Sequence, residues 1–390
     1  MARFLVCTAF AASLVFIPAA VLAQSVEQFR DDALSIDRLI DENYAYLDRF
    51  TGGKAPSSER LSSEAARVTD GGTLLRYAER RLASLADHHA ITGSSFSNSW
   101  ALVPSYSDLW IEHDGERFVV TAVRDDSPAS QAGIKVGDAV LEIGGRSTTL
   151  AVQDFWNDLG MDIPPDGLGF AARVLAAGRR DSARTLTLTS GHDNPRTVTL
   201  ASLYAENRPA RDALSVSRGA DGLTIRINDS LGDQATIAAF DAAMAQADQG
   251  ETVILDLRDT PSGGNTVIAR ALMGWFVTEA RPYQMHRNVA EERRTSIPRQ
   301  WIEQVLPREG KHHDGPVKVL VGRWTGSMGE GLAVGFDALG AQVRGCPMAG
   351  LLGAIYDYRL EHSGLVIKLP AERLSSVSGT PREHFTCAPL

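Results

Sequence analysis

The sequence predicts an α/β multidomain protein with an N-terminal helical region, a small β-rich middle and an α/β core. Three observations predict it. Apolar residues recur mostly at steps of three and four from Val26 to Ala86, short strand-like runs separated by turn residues fill Trp110 to Leu200, and strand-like and helix-like runs alternate from Gly222 onward. A length of 390 residues suffices for two or three domains with cores of their own, and 44% hydrophobic with 22% charged residues is the composition of a folded globular chain. The formal net charge of −9 and the lack of any basic tract argue against a nucleic-acid partner.

The chain begins Met1-Ala2-Arg3 and continues in an apolar run from Phe4 to Leu22, closing Val21-Leu22-Ala23. A positive start, an apolar middle and small residues before the cut predict a signal peptide over 1–23, cleaved after Ala23, and a periplasmic or secreted mature protein. An uncleaved anchor is the rival, which Pro18 and the small-residue end disfavour. No later run is long and apolar enough to span a bilayer, so no stable membrane insertion is expected. Cys7 falls inside the leader. The mature chain keeps Cys346 and Cys387, which an oxidising compartment allows to pair, although two free buried thiols fit equally well.

Residues 24–100 read as the helical region. A Gly/Ser/Pro-containing stretch from Thr51 to Ser58 interrupts it, giving two or three helices, the last ending near Asp87-His88-His89.

Residues 101–204 form the β-rich part, with strands expected at Phe118 to Val123, Ala139 to Ile143 and Thr185 to Thr189. Its centre reads Ser127-Pro128-Ala129-Ser130-Gln131-Ala132-Gly133-Ile134-Lys135-Val136-Gly137-Asp138, a short helix closing against a glycine turn that feeds the next strand. The pattern resembles a PDZ domain. That resemblance implies an extended peptide or protein C-terminus bound by addition to a strand edge, with a purely structural spacer as the alternative.

Residues 205–390 form the core. Strands are expected at Leu223 to Ile227, Val253 to Leu257 and Val317 to Val321, and helices near Ile237 to Ala247, Val267 to Phe276 and Leu332 to Leu339. Glu291 to His313, rich in Arg, Glu and His and carrying Pro298 and Pro307, reads as a surface excursion, either a lid or an interface.

Two strand-to-helix turns in this core can carry chemistry. In Asp256-Leu257-Arg258-Asp259-Thr260-Pro261-Ser262-Gly263-Gly264-Asn265, paired glycines let backbone amides approach a ligand closely, with Asp256, Arg258 and Asn265 shaping the turn. In Thr325-Gly326-Ser327-Met328-Gly329-Glu330, a serine at the turn can stand exposed beside amides aimed at a developing oxyanion, or simply cap the helix. Glu330 falls in the first helical turn, where a carboxylate suits the helix dipole.

The two turns, in this order behind a PDZ-like segment, resemble the C-terminal processing peptidases, the tail-specific serine proteases and their tricorn-like relatives. The resemblance implies a ClpP/crotonase-like protease core, Ser327 as nucleophile, an oxyanion hole from the Gly264 and Met328 amides, and supporting roles for Gly263 and Glu330. Bacterial members activate serine with a lysine in a Gly-Lys-Gly turn downstream. Here the corresponding stretch is Gly345-Cys346-Pro347-Met348-Ala349-Gly350-Leu351-Leu352-Gly353, without lysine.

The tricorn-like branch uses a histidine and a glutamate instead. Leu85-Ala86-Asp87-His88-His89-Ala90 resembles the segment bearing its base, which implies His89, with His88 as the neighbouring alternative. Gly379-Thr380-Pro381-Arg382-Glu383 resembles its tail, which implies Glu383 as the acid that orients the imidazole. A Ser-His-Glu trio can run acyl-enzyme chemistry on peptide or protein substrates with no metal or organic cofactor. Two rivals remain: a PDZ-containing scaffold that has lost turnover, and an α/β-hydrolase, which Thr325 in place of the first elbow glycine disfavours. Oligomeric state is not legible.

Overall fold

Two parallel strands, Val253–Asp256 and Val317–Leu320, lie side by side in register, Asp256 opposite Leu320, in the computed structural model, which describes residues 24–390 apart from 192 and 206–210. The expected signal peptide lies outside the described residues. These strands are central in a sheet ordered Gln342–Arg344, Val317–Leu320, Val253–Asp256, Gly222–Ile227, Leu214–Gly219, parallel except for the last, hairpin pair. Val253, Leu255, Val319 and Ile225 are buried, the apolar pattern of a parallel sheet covered on its faces. Helices Ala235–Met244, Thr266–Met273 and Met328–Ala338 supply cover and share its core. Because the two central strands end level, both motif turns leave the sheet at the same edge, where α/β sheets place ligands.

A second sheet, antiparallel, joins chain segments far apart in sequence. Val366–Ser375 pairs with Ile91–Thr92, Ala354–Arg359 and Arg281–Asn288, and Gln300–Val305 adds outside the last. The stretch Glu291 to His313 does run along the surface, with Val305 and His313 its buried residues, but it is no irregular excursion: it completes helix Val289–Thr295 and then forms the edge strand Gln300–Val305. Helices Val26–Asn43, Glu59–Ala66 and Gly71–Ala83 do not stand alone either: Ile36, Ile40, Leu74 and Leu82 share one core with Ile367 and Leu369 of this sheet.

The third sheet, Leu109–His113, Phe118–Val123, Ala139–Ile143, Arg184–Thr189 and Arg196–Leu200, is the PDZ-like part, packed on helices Thr148–Asp158 and Gly167–Ala177. Ser127 caps the short helix Pro128–Gln131, and Gly137 sits at φ +95° in the turn before the next strand, which is why that position carries glycine. This sheet is tied to the core by Arg124, whose Nε and Nη2 donate to Asp259 Oδ1 at 2.9 and 2.6 Å. Of the two readings of the cysteines, the disulfide is the one present: Cys346 and Cys387 are bonded, Cα atoms 5.4 Å apart. No helix among the described residues is long and apolar enough to cross a membrane.

Candidate active site

The turns after the two central strands are zipped together by two backbone bonds and one from a side chain. The Thr260 amide donates to the Trp324 carbonyl at 2.9 Å, the Gly326 amide to the Thr260 carbonyl at 3.1 Å, and Thr325 Oγ1 to the Leu257 carbonyl at 2.8 Å. This brings Gly263 directly against Ser327. Ser327 occupies the N-cap position of Met328–Ala338, but at φ 50° and ψ −111° it is far from the extended conformation a capping serine usually takes. A non-glycine residue held there stores strain, and such strain concentrates at functional turns.

Beside Ser327 the Met328 amide, first in its helix, has no intrahelical acceptor. The Gly264 amide has no acceptor among the described residues. Gly264 packs so closely on the Leu231 backbone that a β-carbon would collide with its carbonyl, and Asn265 caps the next helix through Val267 and Ile268 amides at 3.1 and 3.2 Å. Asp256 accepts from the Arg258 amide and guanidinium, shaping the start of the turn.

His89 arrives from the opposite side. After helix Gly71–Ala83 the chain bends at Ala86 (φ 48°), and buried Asp87 accepts from the His89 amide at 2.8 Å and from Tyr44 Oη at 2.9 Å. The following residues, Ile91–Thr92, are stitched to Val366–Ser375. His89 Nδ1 lies 2.6 Å from the Leu352 carbonyl, which can only accept, so Nδ1 carries the proton and Nε2 is left as an acceptor. Burial pushes the imidazole down to about 4; the Leu352 bond opposes this and nearby Arg382 adds to it.

Ser327, His89, Gly263, Gly264 and Leu351 line one cavity of about 440 Å³. The Leu351 side chain reaches toward Gly326, in the segment where a lysine would stand in bacterial processing peptidases. His88 also lines this cavity, but its ring is already engaged. It stacks on Phe170 with ring centroids 4.5 Å apart, and its Nε2 accepts from Arg173 Nε at 3.0 Å; burial holds it well below the ordinary histidine range.

Glu383 does not make the contact expected of it. Nδ1 of His89 is occupied by the Leu352 carbonyl, and Glu383 instead lines a second cavity of about 1170 Å³ with Tyr46, Asp87 and Arg373. The reason is the short helical turn Arg382–His384, which aims Arg382 rather than Glu383 at the loop before Ala354 and leaves the buried Glu383 Oε2 without a hydrogen-bond partner among the described residues. Glu330 is buried and accepts from the Ser327 amide at 2.9 Å, the Gly350 amide at 2.8 Å and the Leu351 amide at 3.2 Å. Burial raises its carboxyl to about 7, against the lowering pull of Arg382 and these amides. The sequence reading missed the Leu352 carbonyl and Arg382; the first leaves no side-chain signal, and the second stood in a motif quoted only for its neighbour. Among the described residues no group of three His, Cys, Asp or Glu is arranged to hold a metal ion.

Residues 223–386 match peptidase family S41, and residues 119–155 match a PDZ domain. No curated protein matches the chain in sequence. Among solved structures, the photosystem II D1 C-terminal processing protease is 17% identical, with 93% of each chain covered and a TM-score of 0.57. Mature CPAF is 13% identical, covering 93% of this chain and 92% of that one, TM-score 0.55. A putative peptidase from Parabacteroides merdae is 15% identical over 94% and 90%, TM-score 0.50. At these identities the structures establish a shared fold.

Proposed function

The chain is a serine peptidase with a family S41 core and a PDZ domain, and from that premise we propose that it is an exported endopeptidase in which Ser327 is the nucleophile and His89 the base. The observation that carries this reading is that one cavity is lined by both residues, with His89 Nδ1 bound to a carbonyl and Nε2 thereby an acceptor. Ser327 Oγ attacks the scissile carbonyl carbon as its proton passes to His89 Nε2. The oxyanion is held by the Gly264 and Met328 amides, the amine leaves with the proton from His89, and water resolves the acyl-enzyme by the same route. Glu383 has no direct part. The absence of a lysine is met by this histidine.

Export is supported by the leader-like residues 1–23 and by the Cys346–Cys387 disulfide, which persists in an oxidising compartment. Substrates would be peptides or proteins, with the PDZ domain engaging a C-terminus at the edge strand Leu109–His113. An added strand would have to displace Arg173 Nη1, which donates to the Ile111 carbonyl at 3.2 Å.

A fluorophosphonate probe tests the reading, since it labels only an activated serine. Labelling and peptide cleavage that both disappear in Ser327→Ala and His89→Ala support it. A folded wild-type chain that takes no label hands the assignment to the scaffold alternative.

A further inference from the structure

The Gly350–Gly353 loop is held from two sides. Its Gly350 and Leu351 amides donate to Glu330 Oε1 and Oε2 at 2.8 and 3.2 Å, and its Leu351 and Gly353 carbonyls each accept from Arg382 Nη2 at 2.8 Å. Between those two carbonyls, that of Leu352 is turned to His89 Nδ1. Glu330 also takes the Ser327 amide, so one carboxylate registers the nucleophile turn against the loop that aims the base. Glu330 is 0% and Arg382 3% exposed, and the two are paired at 3.9 Å.

Burying two charges costs desolvation that roughly offsets their attraction, and a well-packed apolar pair is often as stable. An apolar pair, however, would not hold two amides and two carbonyls of one four-residue loop. We propose that Glu330 and Arg382 are positioning residues that clamp Gly350–Gly353 so that the Leu352 carbonyl, a backbone group, fixes the tautomer and direction of His89. The proposal rests on the Ser327–His89 reading and deepens it: the third member of the arrangement is a peptide carbonyl, in the stretch where relatives would carry lysine. It also has a chemical consequence. A neutral carbonyl stabilises the imidazolium less than a carboxylate does, and the Arg382 cation disfavours it further, in line with the direction in which His89 is shifted.

The groups facing Glu330 are Arg382 from the tail, Arg323 from the end of Val317–Leu320, and the Ser327, Gly350 and Leu351 amides. All favour its ionised form, and only that form accepts at both oxygens without presenting a proton to an amide. The clamp is therefore complete once Glu330 has lost its proton.

The test uses the full mature chain, an internally quenched peptide with a free C-terminal carboxylate, and circular dichroism to confirm folding. Arg382→Lys and Glu330→Gln are expected to lower kcat at least about tenfold with KM within about twofold, since neither side chain lines the substrate cavity. Wild type should show an acid limb in kcat near 7 that Glu330→Gln lacks. Nitrogen-15 NMR of histidine-labelled wild type reads the tautomer directly, and His89 protonated at Nδ1 is expected. Folded variants with wild-type kcat, or His89 protonated at Nε2, overturn the clamp; if neither variant folds, the wild-type tautomer decides. Turnover surviving in Ser327→Ala would overturn the peptidase reading itself, a separate result.

Discussion

Gly263 and Ser327 touch so closely that no carbon atom fits between them: a β-carbon on Gly263 would stand 2.9 Å from Ser327 Oγ and 3.0 Å from the Met328 amide. Gly263 also sits at φ +70°, a conformation that L side chains rarely adopt. Gly263→Ala is expected to abolish fluorophosphonate labelling, while far-UV circular dichroism stays that of a folded chain. Wild-type labelling in this variant would mean that the turn relaxes without disturbing the nucleophile.

Asp259 joins the PDZ part to the core and sits at the base of the glycine turn. Burial pushes its carboxyl up, but Arg124, then Arg226 and Arg211, outweigh that and hold it below the usual range. Asp259→Asn leaves the buried Arg124 guanidinium without its charge partner, which should cost about 3 kcal/mol of unfolding free energy. Urea unfolding measures it. The depressed value also means that this contribution is present above the ordinary aspartate range and is lost as pH falls through the folded-state value.

The disulfide spans 41 residues that include both the Gly350–Gly353 loop and Arg382. Chain-entropy arguments give such a loop about 4 kcal/mol at 25 °C. Cys346→Ala with Cys387→Ala should lower unfolding free energy by that order. Cleavage should also become slower, and reductant should slow wild type but not the double variant.

His89 and Glu330 give stability opposite dependences on pH. The imidazole, lowered from 6.5 to about 4, binds fewer protons folded than unfolded, so its contribution of about 3 kcal/mol is present above 6.5 and lost as pH falls through 4. The carboxyl, raised from 4.5 to about 7, contributes stability that is present below 4.5 and lost as pH rises through 7. The two slopes offset each other in wild type. Denaturant curves between pH 4 and 7 should therefore steepen upward with pH in Glu330→Gln and slope downward in His89→Asn, and two superimposable curves would refute the pair.

The parallel core and the PDZ part were legible in the sequence because their signals are local. Phe118–Val123 and Ala139–Ile143 are strands with the expected ends, and Val253–Asp256 and Val317–Leu320 each stop one residue short of expectation. The second sheet was hidden. Arg281–Asn288 and Gln300–Val305 carry Arg, Gln, His and Glu where a strand reader looks for β-branched residues, and their pairing depends on distant partners. Ser327 and His89, the proposed pair, stand out in the sequence through residue type and neighbours, as does the lack of lysine. The group that aims His89 does not, because a peptide carbonyl looks the same at every position in a sequence.

The bond between His89 and Leu352 spans 263 residues of chain. A nascent polypeptide emerging from a ribosome thus carries the imidazole long before anything exists to point it, and Ser327 is made before the loop that completes the arrangement. A chain cut short before Gly353 would hold a serine and an unaimed imidazole. The serine, the imidazole and the carbonyl can therefore meet only after most of the chain has been made.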